Sequence, residues 1–210
     1  MRSSVLSLPV DSRAAATSGL LPEVTERATA SALPTRLRPA DLLRLTDEGA
    51  QDVLEGRYDH LLPDGGLWPT ENRWAARLVA DDEVDVWLIS WVEGKYTELH
   101  DHAGSLGALT VLSGALSEYR WNGRDLRRRT LTAGDQASFP LGWVHDVVRA
   151  PAESIDGASE AGITGPLNPT LSVHAYSPPL TAMSYYEVTG HGTLRRTRTV
   201  LTDQPEGELE

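Results

Sequence analysis

Short apolar segments follow one another after Asp82, some alternating with polar residues and some continuous, and glycine, proline and asparagine separate them. Many short strands at close spacing favour a small antiparallel barrel or sandwich over a parallel α/β sheet. A loop rich in small residues and proline is predicted at residues 151–169. We therefore predict a mainly β fold, with strands at residues 84–92, 108–112, 115–121, 136–139, 143–148, 171–176 and 183–188.

The part of the chain before these strands has a different pattern. Residues 40–51 follow Pro39 and place three leucines at near-helical spacing, which predicts a helix. Residues 74–79 fit either a helical turn or the first strand. Residues 1–36 are rich in Ser, Ala, Thr and Pro, with one short candidate helix at 21–30, and we expect them to be loosely ordered. The predicted organisation is a loosely ordered segment (1–36), a single barrel domain with a helical N-terminal part (37–190) and a C-terminal tail (191–210).

Composition narrows the chemistry. At 210 residues the chain fits one domain. It contains no cysteine, which excludes disulfides, thiolate metal sites and a cysteine nucleophile. No apolar run approaches the roughly 20 residues of a membrane-spanning helix. The first residues of the chain also lack the continuous apolar stretch of a secretory signal. We expect a cytoplasmic protein that does not bind membranes.

The charge balance bears on possible partners. The formal net charge is −11, which argues against binding to a nucleic-acid backbone. The one basic cluster follows an Asn-Gly turn signal, so we interpret it as the solvated tip of a hairpin. This cluster consists of Arg124, Arg127, Arg128 and Arg129.

Three of the six histidines fall in two short segments that contain several glycines. His100 and His102 are two residues apart, so in a strand their side chains point to the same face. His145 follows a turn signal at the start of an apolar strand and supplies a candidate third ligand. The alternative is that His100 and His102 are simply two polar side chains on a solvated strand face. The spacing of the histidines leaves both interpretations open. The glycine and proline pattern around them, described next, leads us to predict that all three bind one divalent metal ion.

The residues around these histidines resemble the two motifs of the cupin superfamily, and within it the thiol dioxygenases of the cysteine dioxygenase type I family. The resemblance covers about residues 74–187 and implies a small antiparallel β-barrel, or jelly roll, with short N-terminal helices. The first motif, G(X)5HXH(X)3–4E(X)6G, is matched by Gly94, His100, His102 and Gly114. The second, G(X)5–7PXG(X)2H(X)3N, is matched by Gly134, Pro140, Gly142 and His145.

Two positions depart from the motifs. Gly107 stands where most cupins have a glutamate ligand, and Arg149 stands where asparagine is usual. Thiol dioxygenases use three histidines alone, so Gly107 narrows the resemblance to them and predicts a site with no acidic ligand. In the animal enzymes this position is a cysteine crosslinked to an active-site tyrosine. The absence of cysteine excludes that crosslink here, and bacterial members commonly lack it too.

The resemblance also implies residues around the metal. Ser172, His174 and Tyr176 match the family's Ser-His-Tyr string, which implies a hydrogen-bonded chain with its hydroxyl end beside the metal. The alternative is a barrel tyrosine and a core histidine with other partners. Arg77 matches the family's carboxylate-binding arginine, and Tyr176 would also contact the substrate. Arg73 competes with Arg77 for that role.

The resemblance implies an iron(II) enzyme, although imidazole ligands equally suit Zn, Cu and Ni. The expected reaction is oxidation of L-cysteine with O2 to cysteine sulfinate, with a small thiol and O2 as the only partners and a monomeric protein. One alternative is a 3-mercaptopropionate dioxygenase, which usually has glutamine in place of the carboxylate-binding arginine, so Arg77 favours cysteine. Another is a non-catalytic cupin that binds a metal or ligand.

Overall fold

The computed structural model describes residues 35–151 and 168–206. The expectations for residues 1–34, including the candidate helix at 21–30, and for most of the predicted loop lie outside these ranges. The described residues form one α-helix, two short 3-10 turns (Asp59–Leu61 and Asp64–Gly66) and eleven strands. These are α1 (Pro39–Leu54), β1 (Trp74–Ala80), β2 (Asp85–Trp91), β3 (His100–Asp101), β4 (Leu106–Ser113), β5 (Ala115–Trp121), β6 (Leu126–Thr132), β7 (Gln136–Phe139), β8 (His145–Arg149), β9 (Thr170–Ser177), β10 (Ala182–Val188) and β11 (Leu194–Leu201).

The strands form two sheets in which every neighbouring pair is antiparallel. The first sheet has the order β1-β2-β9-β4-β7 and the second the order β11-β10-β3-β8-β5-β6. Apolar side chains from both sheets pack together into one core, among them Trp87, Phe139, Val147 and Met183. The predicted mainly β fold with antiparallel sheets is confirmed.

Helix α1 covers the outer face of the first sheet. Pro39 occupies the first helical turn, and the Asp41 carboxylate accepts a hydrogen bond from the Arg38 N–H, which fixes the start of the helix. Leu42 packs with Leu88 and Val173 in a second core between helix and sheet. Because the sheet is covered on both faces, β2 and β9 are buried along their whole length.

Strand β9 therefore presents alternate residues to two different environments. Val173 and Ala175 pack towards α1, in the second core. Ser172, His174 and Tyr176 lie on the opposite face, inside the barrel, as the two-residue period requires.

One region settles an open assignment, and two differ from the sequence-based expectations. Residues 74–79, which fitted two assignments, belong to β1. Residues 194–201, assigned to a tail, form β11 and pair with β10, which extends the sheet by one strand. The basic cluster is not only a solvated tip, since Arg129 on β6 contacts the buried Glu118 carboxylate. No helix in the described part of the chain is long and apolar enough to cross a membrane.

Candidate metal centre

The three predicted histidines lie together inside the barrel. His100 on β3 pairs directly with His145 on β8, and His102 follows two residues after His100. The Nε2 atoms of His100 and His102 are 3.3 Å apart. The His145 ring centroid is 4.7 Å from that of His100 and 5.2 Å from that of His102. All three side chains are buried. The structure thus brings together the three histidines of the two motifs.

Two of the imidazoles have an acceptor group near the Nδ1 atom. His100 Nδ1 lies 2.8 Å from the Glu98 carbonyl, which can only accept, so Nδ1 has the proton and the Nε2 lone pair faces the cluster. His145 Nδ1 lies 3.7 Å from the carboxylate of the buried Glu118, which Arg129 contacts from the other side. A hydrogen bond such as that of His100 fixes the tautomer and the ring orientation of a metal-binding histidine. His145 Nδ1 has no hydrogen-bond partner among the described residues, so Glu118 offers it a nearby negative charge only.

Glu206 is the unexpected member of the cluster. One carboxylate oxygen lies 3.4 Å from His102 Nε2 and the other 3.4 Å from His100 Nε2. The residue has no exposed surface. The prediction of a site without an acidic group therefore needs correction: a carboxylate is present, but it comes from the segment after β11 and not from the first motif.

The four side chains fit a metal ion. Ligand atoms of His100, His102, His145 and Glu206 all lie within 4.8 Å of one another. Two donors about 2.1 Å from an ion are about 3 Å apart when adjacent and about 4 Å apart when opposite, close to these separations. His145 Nε2 and Glu206 Oε2 are buried and have no hydrogen-bond partner among the described residues. Buried polar atoms are costly without a partner, and a cation between them would satisfy both.

Gly107 explains why the first motif has no carboxylate. It lies on β4, and a Cβ at this position would be 3.0 Å from His102 Nδ1 and 3.0 Å from Phe139 Cδ2. A larger residue would therefore crowd both the His102 ring and the neighbouring ring of Phe139. Glycine leaves room for the imidazole.

Ser172, His174 and Tyr176 form one hydrogen-bonded chain that ends at the cluster. The Trp91 indole N–H donates to Ser172 Oγ at 2.8 Å, and Ser172 Oγ lies 2.8 Å from His174 Nε2. His174 Nδ1 lies 3.2 Å from the Tyr176 hydroxyl, which donates to Glu206 at 2.7 Å. Because the indole can only donate and the carboxylate can only accept, every hydrogen bond in the chain points from Trp91 towards Glu206.

Burial sets the protonation states around the cluster. It lowers the pKa of His102 to about 4 and also lowers the pKa of His145, so both are neutral, which is the form that binds metals. Burial and the adjacent Glu206 carboxylate raise the pKa of Tyr176 well above its usual value, so the hydroxyl keeps its proton. Burial opposes ionisation of Glu206, but the adjacent imidazoles of His100, His102 and His174 hold its pKa well below the usual value.

The structure brings Arg73 to the cluster and does not bring Arg77. Arg73 is buried, lies over the Trp91 ring and donates a 2.6 Å hydrogen bond to the backbone carbonyl of Glu206. Arg77 on β1 lies over Trp87 and pairs with Asp203 at 2.9 Å, with its side chain 32% exposed. Arg77, which the motif correspondence assigned to the substrate carboxylate, thus makes its contacts away from the histidines. Arg73, the competing assignment, contacts Glu206 beside them.

A cavity of about 340 Å³ adjoins this region. Its lining includes Arg73, Tyr185 and Arg198. The Tyr185 ring centroid is 6.2 Å from that of His100, and Arg198 lies over the Tyr185 ring. A small anionic molecule in the cavity would therefore meet Arg73 beside the histidine cluster, whereas Arg198 is already paired with Glu98, which also lines the cavity.

Sequence reasoning missed Glu118 and Glu206. A signal for Glu118 was present, because a charged residue in the otherwise apolar start of β5 (ALSE) is unusual unless it has a buried partner. Glu206 follows a proline in a polar stretch, and nothing in the residues around it distinguishes it from the other acidic residues nearby.

Comparison with known proteins gives one family. The family model described as cysteine dioxygenase type I matches residues 69–189, more than half of the chain. No curated protein matches in sequence.

Solved structures resemble the chain at low identity. A conserved protein with a double-stranded β-helix domain from Klebsiella pneumoniae is 18% identical, with 64% of this chain and 93% of that chain covered and a TM-score of 0.41. A cupin superfamily protein from Desulfitobacterium hafniense is 12% identical, with coverages of 52% and 81% and a TM-score of 0.38. The DMSP lyase DddQ from Ruegeria pomeroyi is 16% identical, with coverages of 70% and 61% and a TM-score of 0.40.

Proposed function

Because the chain belongs to the cysteine dioxygenase type I family, we propose that it is an iron-dependent thiol dioxygenase that oxidises L-cysteine with O2 to cysteine sulfinate. The observation that supports this most strongly is the buried cluster of His100, His102 and His145, at which a hydrogen-bonded Ser-His-Tyr chain ends. The cluster supplies metal ligands, and the chain supplies an oriented hydroxyl next to them.

The overall reaction balances without an organic cofactor. A thiol RSH and one O2 give the sulfinic acid RSO2H, so both oxygen atoms form bonds to sulfur. Sulfur loses four electrons and O2 gains them. Iron(II), held by His100, His102 and His145, would supply open coordination positions at which the thiolate and O2 are brought together.

The chain's own residues bind and orient the substrate. Arg73 would hold the substrate carboxylate by charge-assisted hydrogen bonds, because its guanidinium is buried and lies within reach of the cluster. The protonated Tyr176 hydroxyl would donate a hydrogen bond to the reacting groups. His174 and Ser172 hold that hydroxyl in position, and the surrounding apolar core limits the access of water.

Iron is part of the proposal because of the family. Neutral imidazoles bind Zn, Cu and Ni as well as iron, and the intrinsic order of affinities favours some of these over iron(II). The choice of L-cysteine rests on the arginine, since a guanidinium suits a carboxylate-bearing thiol that also has an amine to chelate the metal. The arginine that supports this choice is Arg73, and no longer Arg77.

The test combines metal content with oxygen uptake. Purified protein is analysed for metal and supplied, in its iron-loaded form, with L-cysteine or with 3-mercaptopropionate. We expect iron-dependent uptake with L-cysteine and formation of cysteine sulfinate. The His102→Ala variant should lose both metal and activity, whereas His191→Ala, a change at an exposed histidine, should lose neither.

The other outcomes separate the alternatives. Uptake with 3-mercaptopropionate alone would identify the other thiol dioxygenase, and metal binding without uptake on either thiol would identify a non-catalytic cupin. A His102→Ala variant that retained iron and activity would contradict the proposed site.

A further inference from the structure

The segment after β11, residues 202–206, runs back over the barrel and is anchored at three points; we call it the tail segment. The Thr202 N–H donates to the Thr181 carbonyl at 3.1 Å. The Asp203 carboxylate accepts a 2.9 Å hydrogen bond from Arg77, and the Glu206 carbonyl accepts one of 2.6 Å from Arg73. These anchors place the last residue of the segment at the histidine cluster.

The Glu206 backbone and side chain are both adapted to this position. Its φ angle of 54° is in the left-handed region, which non-glycine residues seldom adopt and which is found mainly where surrounding contacts impose it. Its side chain is completely buried, and one carboxylate oxygen is hydrogen-bonded by Tyr176. The other oxygen has no hydrogen-bond partner among the described residues and faces His100 Nε2 at 3.4 Å.

Glu206 occupies the contacts that an anionic substrate would use. The Tyr176 hydroxyl donates to its side chain and Arg73 donates to its backbone carbonyl. These are the two groups to which the proposed function assigns the substrate. The Glu206 carboxylate therefore lies beside the histidines, on the side where the carboxylate-bearing thiol would have to bind.

We propose that Glu206 is a displaceable ligand of the metal: it binds the ion in the resting protein and gives way to the thiol substrate. This inference rests on the proposed function, because it requires a metal held by the three histidines. In the resting protein the ion would then have three imidazole ligands and one carboxylate ligand. That carboxylate belongs to Glu206 and not to the first motif, which has Gly107 at the usual glutamate position. A carboxylate ligand reduces the net charge at the ion and so lowers its attraction for a thiolate until Glu206 leaves.

The anchoring of the tail segment is compatible with release. Arg77 and Asp203 form an ion pair whose side chains are 32% and 64% exposed, and such pairs contribute little to stability. The three histidines, by contrast, belong to or adjoin paired strands. Displacement of Glu206 would therefore disturb the segment while the histidines stay in place.

The experiment uses Co²⁺ as a spectroscopic substitute, with the full-length protein under anaerobic conditions. Visible absorption reports the ligands of Co²⁺, and competition with a chelator gives its dissociation constant. Titration with L-cysteine gives an apparent dissociation constant for the thiol. The variants are Glu206→Gln, the matched control Glu187→Gln, which changes an exposed glutamate on β10, and His102→Ala.

We expect Glu206→Gln to alter the Co²⁺ spectrum and to weaken Co²⁺ binding by about tenfold, because a charged ligand is lost. L-cysteine should bind about tenfold more tightly, the effect of removing a competitor that occupies the site for about nine-tenths of the time. Glu187→Gln should match the wild type in all three measurements. A Glu206→Gln variant that also matched the wild type would overturn the inference.

His102→Ala separates this inference from the proposed function. If it abolishes Co²⁺ binding while Glu206→Gln changes nothing, the histidine site stands and the role of Glu206 is refuted. If His102→Ala keeps wild-type affinity, the metal centre itself is refuted, and the inference with it.

A second variant tests the same inference if the Glu206→Gln protein fails to fold. Asp203→Ala removes an exposed anchor of the tail segment and leaves the Glu206 carboxylate intact. It should tighten L-cysteine binding by about two- to threefold, in keeping with a weak surface ion pair. An unchanged affinity for L-cysteine would count against displacement of the segment.

Discussion

The metal centre has two sides that are built in different ways. On one side, His100 and His145 are fixed by direct pairing of β3 with β8, and Ser172, His174 and Tyr176 are fixed by the register of β9 between β2 and β4. These strands are paired on both edges, so backbone hydrogen bonds hold the residues in place.

On the other side, Glu206 and Arg73 lie outside regular strands. Glu206 belongs to an irregular segment whose contacts with the barrel include the exposed pair of Arg77 and Asp203. The difference indicates a division of labour between the two sides. Under the proposed function, the strands would hold the metal ligands in place, and the side chains opposite them would exchange one anionic partner for another.

Tyr176 joins the two sides, because its hydroxyl is bonded to both His174 and Glu206. Tyr176→Phe keeps the ring that packs against His102 but removes the hydroxyl with which the Ser-His-Tyr chain ends at the histidine cluster. We expect kcat/KM for L-cysteine to fall by about 100- to 1000-fold, as for loss of an oriented donor at a reacting centre.

The Tyr176→Phe protein should still bind iron, which metal analysis can check. Tyr119→Phe on β5, where the ring is in contact with Arg128, is the matched control and should leave kcat/KM unchanged. An active Tyr176→Phe enzyme would remove the reason for treating the Ser-His-Tyr chain as part of the site.

The two arginines give a second comparison. Arg73→Ala should lower kcat/KM for L-cysteine by about 10- to 100-fold, the effect of losing a charge-assisted hydrogen bond to the carboxylate. With cysteamine, which has no carboxylate, the loss should be much smaller. Steady-state oxygen uptake on both thiols measures this difference.

Arg77→Ala serves as the control, because Arg77 contacts Asp203 and Trp87 and not the histidines. It should change the rates with the two thiols to the same degree. Selective loss of L-cysteine oxidation in Arg77→Ala would restore the assignment that the motif correspondence made.

The smallest expected effect concerns Glu118, which lies behind His145. Glu118→Gln removes the negative charge that faces His145 Nδ1 and contacts Arg129. Partners of this kind affect metal affinity by about tenfold or somewhat more, so iron binding should weaken by about tenfold. Chelator competition measures the affinity, with Glu187→Gln as the control. Unaltered affinity would show that the barrel alone orients His145.

The strand side of the centre could be predicted because its spacing is local. His100 and His102 share a face through the two-residue period, and the same period aligns Ser172, His174 and Tyr176. Glycine and proline bounded the strands well enough to predict β5 and β7 at their observed ends. The helix predicted at 40–51 likewise lies within α1.

The other side could not be predicted, because it depends on contacts between distant residues. Glu206 reaches the histidines only through anchors on residues far earlier in the chain, such as Arg73. The choice between Arg73 and Arg77 depended on where β1 begins and on the bulge between Arg77 and Val79, and neither has a marker in the sequence. Strand β11 was missed because charged residues and threonines on an exposed edge hide its alternation.

The most direct test of thiol dioxygenation is the fate of the oxygen atoms. Iron-loaded protein is given L-cysteine under ¹⁸O2, and the product is analysed by mass spectrometry against oxygen uptake. We predict one cysteine sulfinate for each O2 consumed, with both sulfinate oxygens labelled. A product with oxygen from water, or consumption of O2 with cystine as the product, would contradict the proposed function.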